Sequence, residues 1–358
     1  MMRFIFWQNV ISIHQSAFIK ALSAECDVTL VVEDTLDQQR RNEKWQVPSM
    51  GDTKVVIAPN DAEIAEMLSQ GDTHHVFSGI DAFPMVYRAF KQAMKLNVPI
   101  SVFAEPYEWA GMKGFLRRVK YSLLFIRYGK YINHLFTTGN MGMLCYRKAG
   151  FPCSKLHQWG YFTEQTGMPT VNPDLSKQLT GVKLLYVGRI DANKNILPIL
   201  RDFNLYSEHI DCFSIIGDGP LYSELQTQAL NNPKIKVLGR LCNDDAQKLM
   251  CEHDYLVLPS LYDGWGAVVN EALGVGIRVL CSEACGASIL LDGKMRGTTF
   301  NQENACMTIK EWSAKGKLTV NERDKIKTWA KEHISGVVAA DYFLKTIEGK
   351  PSVAPWLQ

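Results

Sequence analysis

The chain has 358 residues, with 39 Lys plus Arg against 37 Asp plus Glu, 46% apolar residues and 21% charged. That balance excludes a disordered, collagen-like or strongly basic nucleic-acid-coating protein. At about 150 residues per domain, the length predicts two domains, each able to bury its own core. No apolar run reaches the roughly 18 residues that span a bilayer. The opening Met1 to Trp7 meets polar Gln8 and Asn9 too soon for a signal peptide, so a cytoplasmic location is expected. The nine cysteines are odd in number and form no C-x-x-C, which reads as reduced thiols. Cys281 and Cys285 lack a neighbouring His or a second pair, so no metal site is expected.

Short β-branched or aromatic runs alternate with longer helical patterns, the signature of parallel sheets covered by helices. Strands are expected at Arg3 to Trp7, Val28 to Val32, Val55 to Ala58, His75 to Ser78, Ile100 to Ala104 and Leu135 to Thr138. The clearest helices between them are Ala82 to Leu96 and Gly114 to Tyr131. Thr163 to Gly181 is rich in turn residues and lacks apolar periodicity, which marks a boundary. The pattern restarts with strands at Val182 to Gly188, Cys212 to Ile216, Ile235 to Leu238, Tyr255 to Leu258, Arg278 to Cys281 and Thr298 to Phe300. A last helical pattern runs from about Asn321 to Ile347, long enough to fold back over the first half.

Neither half carries the dinucleotide fingerprint. The first strand runs into Gln8-Asn9-Val10-Ile11-Ser12 without a glycine, and Gly217-Asp218-Gly219-Pro220 lacks the third glycine, which disfavours a nicotinamide or flavin enzyme. No P-loop is present. Doubly wound halves nevertheless set rows of helix N-termini beside their strand ends, where phosphate-bearing ligands bind. In Gly188-Arg189-Ile190-Asp191-Ala192-Asn193-Lys194-Asn195, two cations follow a strand and could clamp a diphosphate; the plainer reading is a pair of solvated loop charges. In Asp263-Gly264-Trp265-Gly266-Ala267-Val268-Val269-Asn270-Glu271, the glycines would admit a ligand close to the backbone. The Glu271 carboxylate could accept two hydrogen bonds from vicinal hydroxyls, although an acid near a helix start is also a routine dipole partner.

Together G-R-x-D-x-x-K-N, I-G-D-G-P-L and D-G-W-G-x-x-x-N-E-A-L resemble the GT-B glycosyltransferases of family GT4, the glycosyl transferases group 1 class, and the variant motif suggests a D-G-W-G branch. The likeness lies mainly in Val182 to Phe300; the first half matches only in element order and a few local patterns. It implies an α/β GT-B fold, with two doubly wound Rossmann-like domains facing a cleft. On that pattern 1–165 would bind acceptor, 166–181 would link, and 182–335 would bind a nucleotide sugar. Residues 336–358 would form a helix and tail able to cross back. The resemblance gives the diphosphate to Arg189 and Lys194 and the ribose to Glu271. The loop of Asp263, Gly264, Trp265, Gly266 and Asn270, with Gly217, joins donor binding, and Arg240-Leu241 falls at the base-binding position. Asp263 stands where Glu is commoner and is one methylene shorter.

Cleaving a sugar from a nucleoside diphosphate builds negative charge on the leaving phosphate, and something positive must meet it. The sequence has no D-x-D to hold a divalent metal. Arg189, Lys194 and helix N-termini are therefore the expected stabilisers, without metal or cofactor. Retention of configuration is implied by the resemblance alone. On the acceptor side, Glu105 precedes Pro106 as in one branch of the family, where it could orient a hydroxyl or act as base. His14 could bind a phosphate or an acceptor hydroxyl; a helix-capping or partly buried His is the plainer reading. From Trp109 to Phe136 there are six cations and no acid. A basic amphipathic helix bearing Lys113, Arg117, Arg118 and Lys120 would suit an anionic membrane surface, or simply be a solvated basic face. The expected function is transfer of a hexose-type sugar from a nucleotide diphosphate donor to a saccharide or lipid-linked saccharide in surface polysaccharide assembly. A second location is the inner face of the cell membrane, and nucleic acid is not an expected partner. The rivals are a GT-B-like sugar-nucleotide epimerase and a noncatalytic nucleotide-sugar-binding scaffold.

Overall fold

The computed structural model describes residues 1–36, 41, 47–108, 111–164, 181–230 and 232–357. The chain divides into two compact units, Met1–Glu164 with Ser335–Gln358, and Gln165–Ile334. The linker expected at 166–181 lies outside the described residues except for Gly181, as does Trp109 at the start of the basic stretch.

In the first unit the chain runs β1 (Arg3–Gln8), α1 (Ile13–Ser23), β2 (Asp27–Val32), β3 (Lys54–Ile57), α2 (Asp61–Leu68), β4 (Thr73–Ser78) and α3 (Pro84–Leu96). It continues through β5 (Ile100–Ala104), α4 (Gly111–Tyr128), β6 (His134–Thr138), α5 (Gly139–Lys148) and β7 (Leu156–Trp159). The second unit holds β8 (Val182–Val187), α6 (Ile196–Arg201), β9 (Ile210–Ile216), α7 (Tyr222–Ala229), β10 (Ile235–Gly239), α8 (Asn243–Cys251) and β11 (Tyr255–Leu258). Then come α9 (Val268–Gly274), β12 (Arg278–Ser282), β13 (Gly297–Phe300), α10 (Ala305–Ser313) and α11 (Val320–His333), before α12 (Gly336–Ile347) returns to the first unit.

The sheet orders are β3-β2-β1-β4-β5-β6-β7 and β10-β9-β8-β11-β12-β13. Among the described residues every strand pairing in both sheets is parallel, from Phe4 beside Val28 to Leu280 beside Thr298. In each sheet the order reverses beside the first strand, the switch point of doubly wound folds.

Period-two alternation on β1 explains the two faces of the first sheet. Ile5 and Trp7 belong to the core cluster that takes in Phe77, Phe90 and Val102. Phe4 and Phe6 turn to Phe343 of α12, with ring centroids 5.4 and 6.2 Å apart. Phe343 also meets Phe18 and Phe136 at 5.3 Å each, so a helix from the far end of the sequence closes this core. A Cβ on Gly336 would fall 2.2 Å from the Ala17 carbonyl oxygen, which lets α12 start hard against α1.

Three expectations are corrected. β7 was missed because four residues, Leu-His-Gln-Trp, give too little apolar signal; it pairs with β6 from Leu135–Leu156 to Thr138–Trp159. The single helical pattern at Asn321 to Ile347 is two helices, broken at Ile334 (φ −130°), with the Ser335 hydroxyl capping Val338 N–H. The helix expected at Gly114 to Tyr131 runs from Gly111 to Tyr128.

Candidate functional site

In the second unit, the sequence-selected residues gather on loops after parallel strands. The loop after β8 is held by backbone: Gly188 N–H donates to Ile216 O at 3.0 Å and Ile190 N–H to Asp218 O at 2.9 Å. Gly217 (φ +148°) explains the closeness, because a Cβ there would lie 1.9 Å from the Gly188 carbonyl oxygen. A Cβ at Gly219 would lie 2.4 Å from the Ile190 carbonyl oxygen. These glycines permit two loops to touch through main chain.

That loop is laced to the one after β11. Leu261 N–H donates to Asn193 O at 2.7 Å, and Asn193 Nδ2 donates to Tyr262 O at 2.8 Å. Lys194 Nζ donates to Asp263 Oδ2 at 2.5 Å, with both side chains largely buried. Arg189 is more exposed and pairs with Asp191 at 3.4 Å. Each cation therefore has a carboxylate beside it, which spacing alone did not indicate. Asp191 also accepts Lys194 N–H at 2.9 Å, fixing the turn that carries the lysine.

The 263–266 loop is tied to the segment that follows β12. Asp263 N–H donates to Ala284 O at 3.1 Å, Gly286 N–H to Asp263 O at 3.0 Å, and Ala287 N–H to Trp265 O at 2.7 Å. Trp265 is buried, and its indole N–H donates to the Asn270 side-chain oxygen at 2.7 Å. These two side chains face each other inside the fold and support the loop from behind. Gly266 (φ +88°) sits against Cys285, whose Sγ would be 2.7 Å from a Cβ at that position. Gly264 is half-buried beside them.

Glu271 occupies the first turn of α9 and is half-buried. Among the described residues its side chain has no hydrogen-bond or ion-pair partner. Desolvation, the sole cause, pushes its carboxyl up to about 7. Such a group favours a ligand that donates hydrogen bonds to it. Arg240 lies after β10 and pairs with Asp218 at 3.5 Å, and Leu241 beside it is half-buried. Gln302 was not foreseen: its side chain accepts from Asn195 Nδ2 at 2.7 Å and donates to Pro259 O at 3.2 Å, tying loops after β8 and β11. It lies beyond β13, outside any motif, so no spacing signal pointed to it.

In the first unit His14, in the first turn of α1, and Glu105, directly after β5, are bridged by Tyr161. The Tyr161 ring stacks on His14 with centroids 5.2 Å apart and planes 12° from parallel, and its hydroxyl donates to Glu105 Oε1. The Glu105 carbonyl accepts from the Tyr146 hydroxyl at 3.0 Å. Where other folds of this type place glycines after β1, Gln8 Nε2 donates to Gln15 Oε1 at 2.8 Å in a buried amide pair, and Ser12 caps α1. Tyr161 follows β7, the strand missed from sequence. On α4, Arg117 pairs with Glu108 at 2.6 Å and Lys120 with Asp81 at 2.9 Å. Arg118 lies over the Phe115 ring at 5.7 Å, and Lys113 is exposed. Among the described residues, no group of three His, Cys, Asp or Glu side chains is placed to hold a metal ion.

Residues 181–311 match the family model described as Glycosyl transferases group 1. An uncharacterized glycosyltransferase of Methanocaldococcus jannaschii is 33% identical over 107 residues, covering 29% of this chain and 27% of the relative. The UDP-Gal:alpha-D-GlcNAc-diphosphoundecaprenol alpha-1,3-galactosyltransferase of Escherichia coli is 28% identical over 145 residues, 36% of each chain. The alignments thus span about a quarter to a third of these curated relatives. Among solved structures, HepE of Anabaena in complex with UDP superposes with a TM-score of 0.72 at 13% identity, over 97% of this chain and 100% of the other. The lipopolysaccharide outer core galactosyltransferase WaaB does so with a TM-score of 0.67 at 13% identity, over 97% and 99%. The two Rossmann-like units are those of the α/β GT-B fold, and over residues 181–311 the chain matches the glycosyl transferases group 1.

Proposed function

We propose that the chain is a glycosyltransferase that binds a nucleotide diphosphate sugar on the second unit and moves the sugar to a hydroxyl of a saccharide or lipid-linked saccharide. The observation that carries this reading is the laced pair of loops, with Lys194 against Asp263 and Arg189 on the same short turn, inside the stretch that matches the family. As the glycosidic bond to the donor breaks, charge builds on the leaving diphosphate. Two side-chain cations held by fixed carboxylates meet it without reorganising. The diphosphate shares Lys194 with Asp263, so the lysine is aimed before the donor arrives. Glu271 accepts the two ribose hydroxyls, and that pairing draws its carboxyl back toward the ionised form.

On this reading the reaction needs no metal, because the charge is met by side chains. Retention of configuration goes with the family likeness. The E. coli relative, named for a UDP-Gal donor and a diphosphoundecaprenol-linked acceptor, supports uridine nucleotides and surface polysaccharide assembly as the first candidates. His14, Tyr161 and Glu105 form the acceptor-side group, with Glu105 orienting the incoming hydroxyl.

A thermal-shift screen of UDP-, GDP- and ADP-sugars tests donor binding, since a bound ligand raises the melting temperature by mass action. The expected outcome is a shift with one nucleotide class and release of free nucleoside diphosphate once acceptor is added. An isomerised nucleotide sugar formed without acceptor would instead assign an epimerase. Binding with no turnover on any polyprenyl-linked or free saccharide would leave a scaffold.

A further inference from the structure

Gln302 stands between β13 and α10, outside every motif of the donor loops, and its side chain reaches three strand ends. Its Oε1 accepts from Asn195 Nδ2 at 2.7 Å, in the loop after β8. Its Nε2 donates to Pro259 O at 3.2 Å, with Ser260 O and Ser282 Oγ each at 3.4 Å, after β11 and at the end of β12. One amide therefore uses both its ends. The turn that carries it is fixed as well. Asn301 N–H donates to Asn304 Oδ1 at 3.0 Å, and Asn301 Oδ1 accepts from Glu303 and Asn304 N–H at 3.1 and 3.0 Å. Asparagine side chains that bond back to nearby main chain stiffen a turn in this way.

What the amide holds is the residue next to Lys194. Asn195 takes the left-handed conformation, φ +54°, at the N-cap of α6. Few residue types other than glycine adopt it readily, and asparagine is one of them. Its side chain makes no cap bond to the helix; it goes to Gln302 instead. Lys194 is thus set from both sides, with Asp191 accepting its N–H at 2.9 Å and Asn195 tied down behind it. From there the lysine reaches Asp263 in the loop that opens with Pro259 and Ser260, the same loop whose carbonyls the glutamine binds. Gln302 spans the two loops whose separation sets the Lys194–Asp263 contact.

We infer that Gln302 is a positioning residue, holding the loop after β8 at the distance from the loop after β11 that aims Lys194 at the leaving diphosphate. The inference rests on the nucleotide-sugar reading above and goes beyond it, giving the aim of the lysine to a side chain that binds Asn195 rather than the lysine itself. Because charge on the diphosphate grows as the bond breaks, a loss of aim falls on turnover more than on donor binding.

The test compares Gln302→Leu with Asn195→Gly, which cut the same hydrogen bond from opposite ends. Glycine keeps the left-handed backbone and Gln302 is exposed, so melting temperatures should stay near wild type. Each variant should lower kcat about tenfold, the scale of the lost hydrogen bonds, while the KM for donor moves by less than about twofold. On a Lys194→Ala background, Gln302→Leu should cost less than about twofold more, because its target is already gone. A tie of purely structural value would cost the same on both backgrounds. Hydrogen exchange without donor reads the tie itself: Leu261 N–H, which donates to Asn193 O at 2.7 Å, should exchange about fivefold faster in both variants. Normal turnover in both variants overturns the inference and leaves the proposed function standing. Unchanged exchange, or a full tenfold loss on the alanine background, overturns it as well. If wild type consumes no nucleotide sugar, the proposed function fails and this role with it, and faster exchange would then mark a structural tie alone.

Discussion

The two units share one fold and build their strand-end loops from different materials. In the second, glycines let main chain touch main chain, as where Gly217 lies against the Gly188 carbonyl, and the loops then carry ion pairs such as Lys194–Asp263. In the first, main chain also joins the loops after β1 and β2, with Glu33 and Asp34 N–H donating to Asn9 O at 3.0 and 3.1 Å, but no glycine stands at that contact; side chains do the rest, as the Gln8–Gln15 amide pair braces the turn after β1 and Tyr161 joins His14 to Glu105. Glycine contacts leave a fixed spacing that survives as a readable motif. Side-chain braces can be made by many residue types and leave none. The glycine contacts lie within residues 181–311, the stretch that the family model matches, while the likeness of the whole chain is seen in three dimensions.

The sharpest way to break the comparison is charge removal in the second unit. Arg189→Ala or Lys194→Ala should each lower turnover about a hundredfold or more, the scale of losing one transition-state donor. Initial rates with a saturating donor measure it. Near-normal rates in both would show that the ion-paired loop is a structural device like its first-unit counterpart.

Next comes Glu271→Gln, which should weaken donor affinity about tenfold, as expected when hydrogen bonds to a charged acceptor are lost. The same change should act oppositely on stability. With the folded-state carboxyl at about 7 against an ordinary 4.5, the folded protein binds the extra proton between those values. Wild-type stability therefore falls as pH rises from about 4.5 to 7, and the glutamine variant should lack that slope. Calorimetric melts across this window would read it, and an unchanged slope would remove the desolvated carboxylate from the account.

A smaller effect is expected from Tyr161→Phe. It removes the hydroxyl bound to Glu105 while keeping the ring on His14, so acceptor turnover should fall about fivefold with donor affinity unchanged. A change in donor affinity instead would separate Tyr161 from the acceptor-side group.

The gentlest contrast is with acid. In the first unit, burial lowers His74 to about 3 and His75 and His157 to about 4, with His134 also lowered. His253 of the second unit is lowered to about 4. Their folded forms are neutral, so the stability they contribute is complete above about 6.5 and drains as pH falls toward 4. Hydrogen exchange at mildly acidic pH should show the first unit losing protection before the second; the reverse order would contradict the assignment.

The fold was legible where apolar runs were long enough to declare a period. Ile100–Ala104 and Tyr255–Leu258 stand where their β-branched and aromatic residues put them. Leu156–Trp159 was not, since two of its four residues are polar. The break at Ile334 carried a signal in Ser335-Gly336, a turn dipeptide, which the apolar periodicity on both sides outweighed. At the site, Arg189 and Lys194 could be named from sequence, and Asp191 stands two residues from Arg189 in the same loop; the pairing of Lys194 with Asp263 could not be read, because it depends on how two loops meet. Gln302 and Tyr161 were invisible for the same reason: each acts by bridging elements distant in sequence.

The central claim is that the second unit grips a pyrophosphate through the paired side chains after β8. A crystal structure with a hydrolysis-resistant UDP-sugar, or with whichever nucleotide class the screen selects, tests it most directly. Phosphate oxygens within hydrogen-bond reach of Lys194 Nζ and the Arg189 guanidinium, with the ribose hydroxyls on Glu271, is the predicted result. A pyrophosphate seated elsewhere, with Lys194 still bound to Asp263 alone, would contradict it.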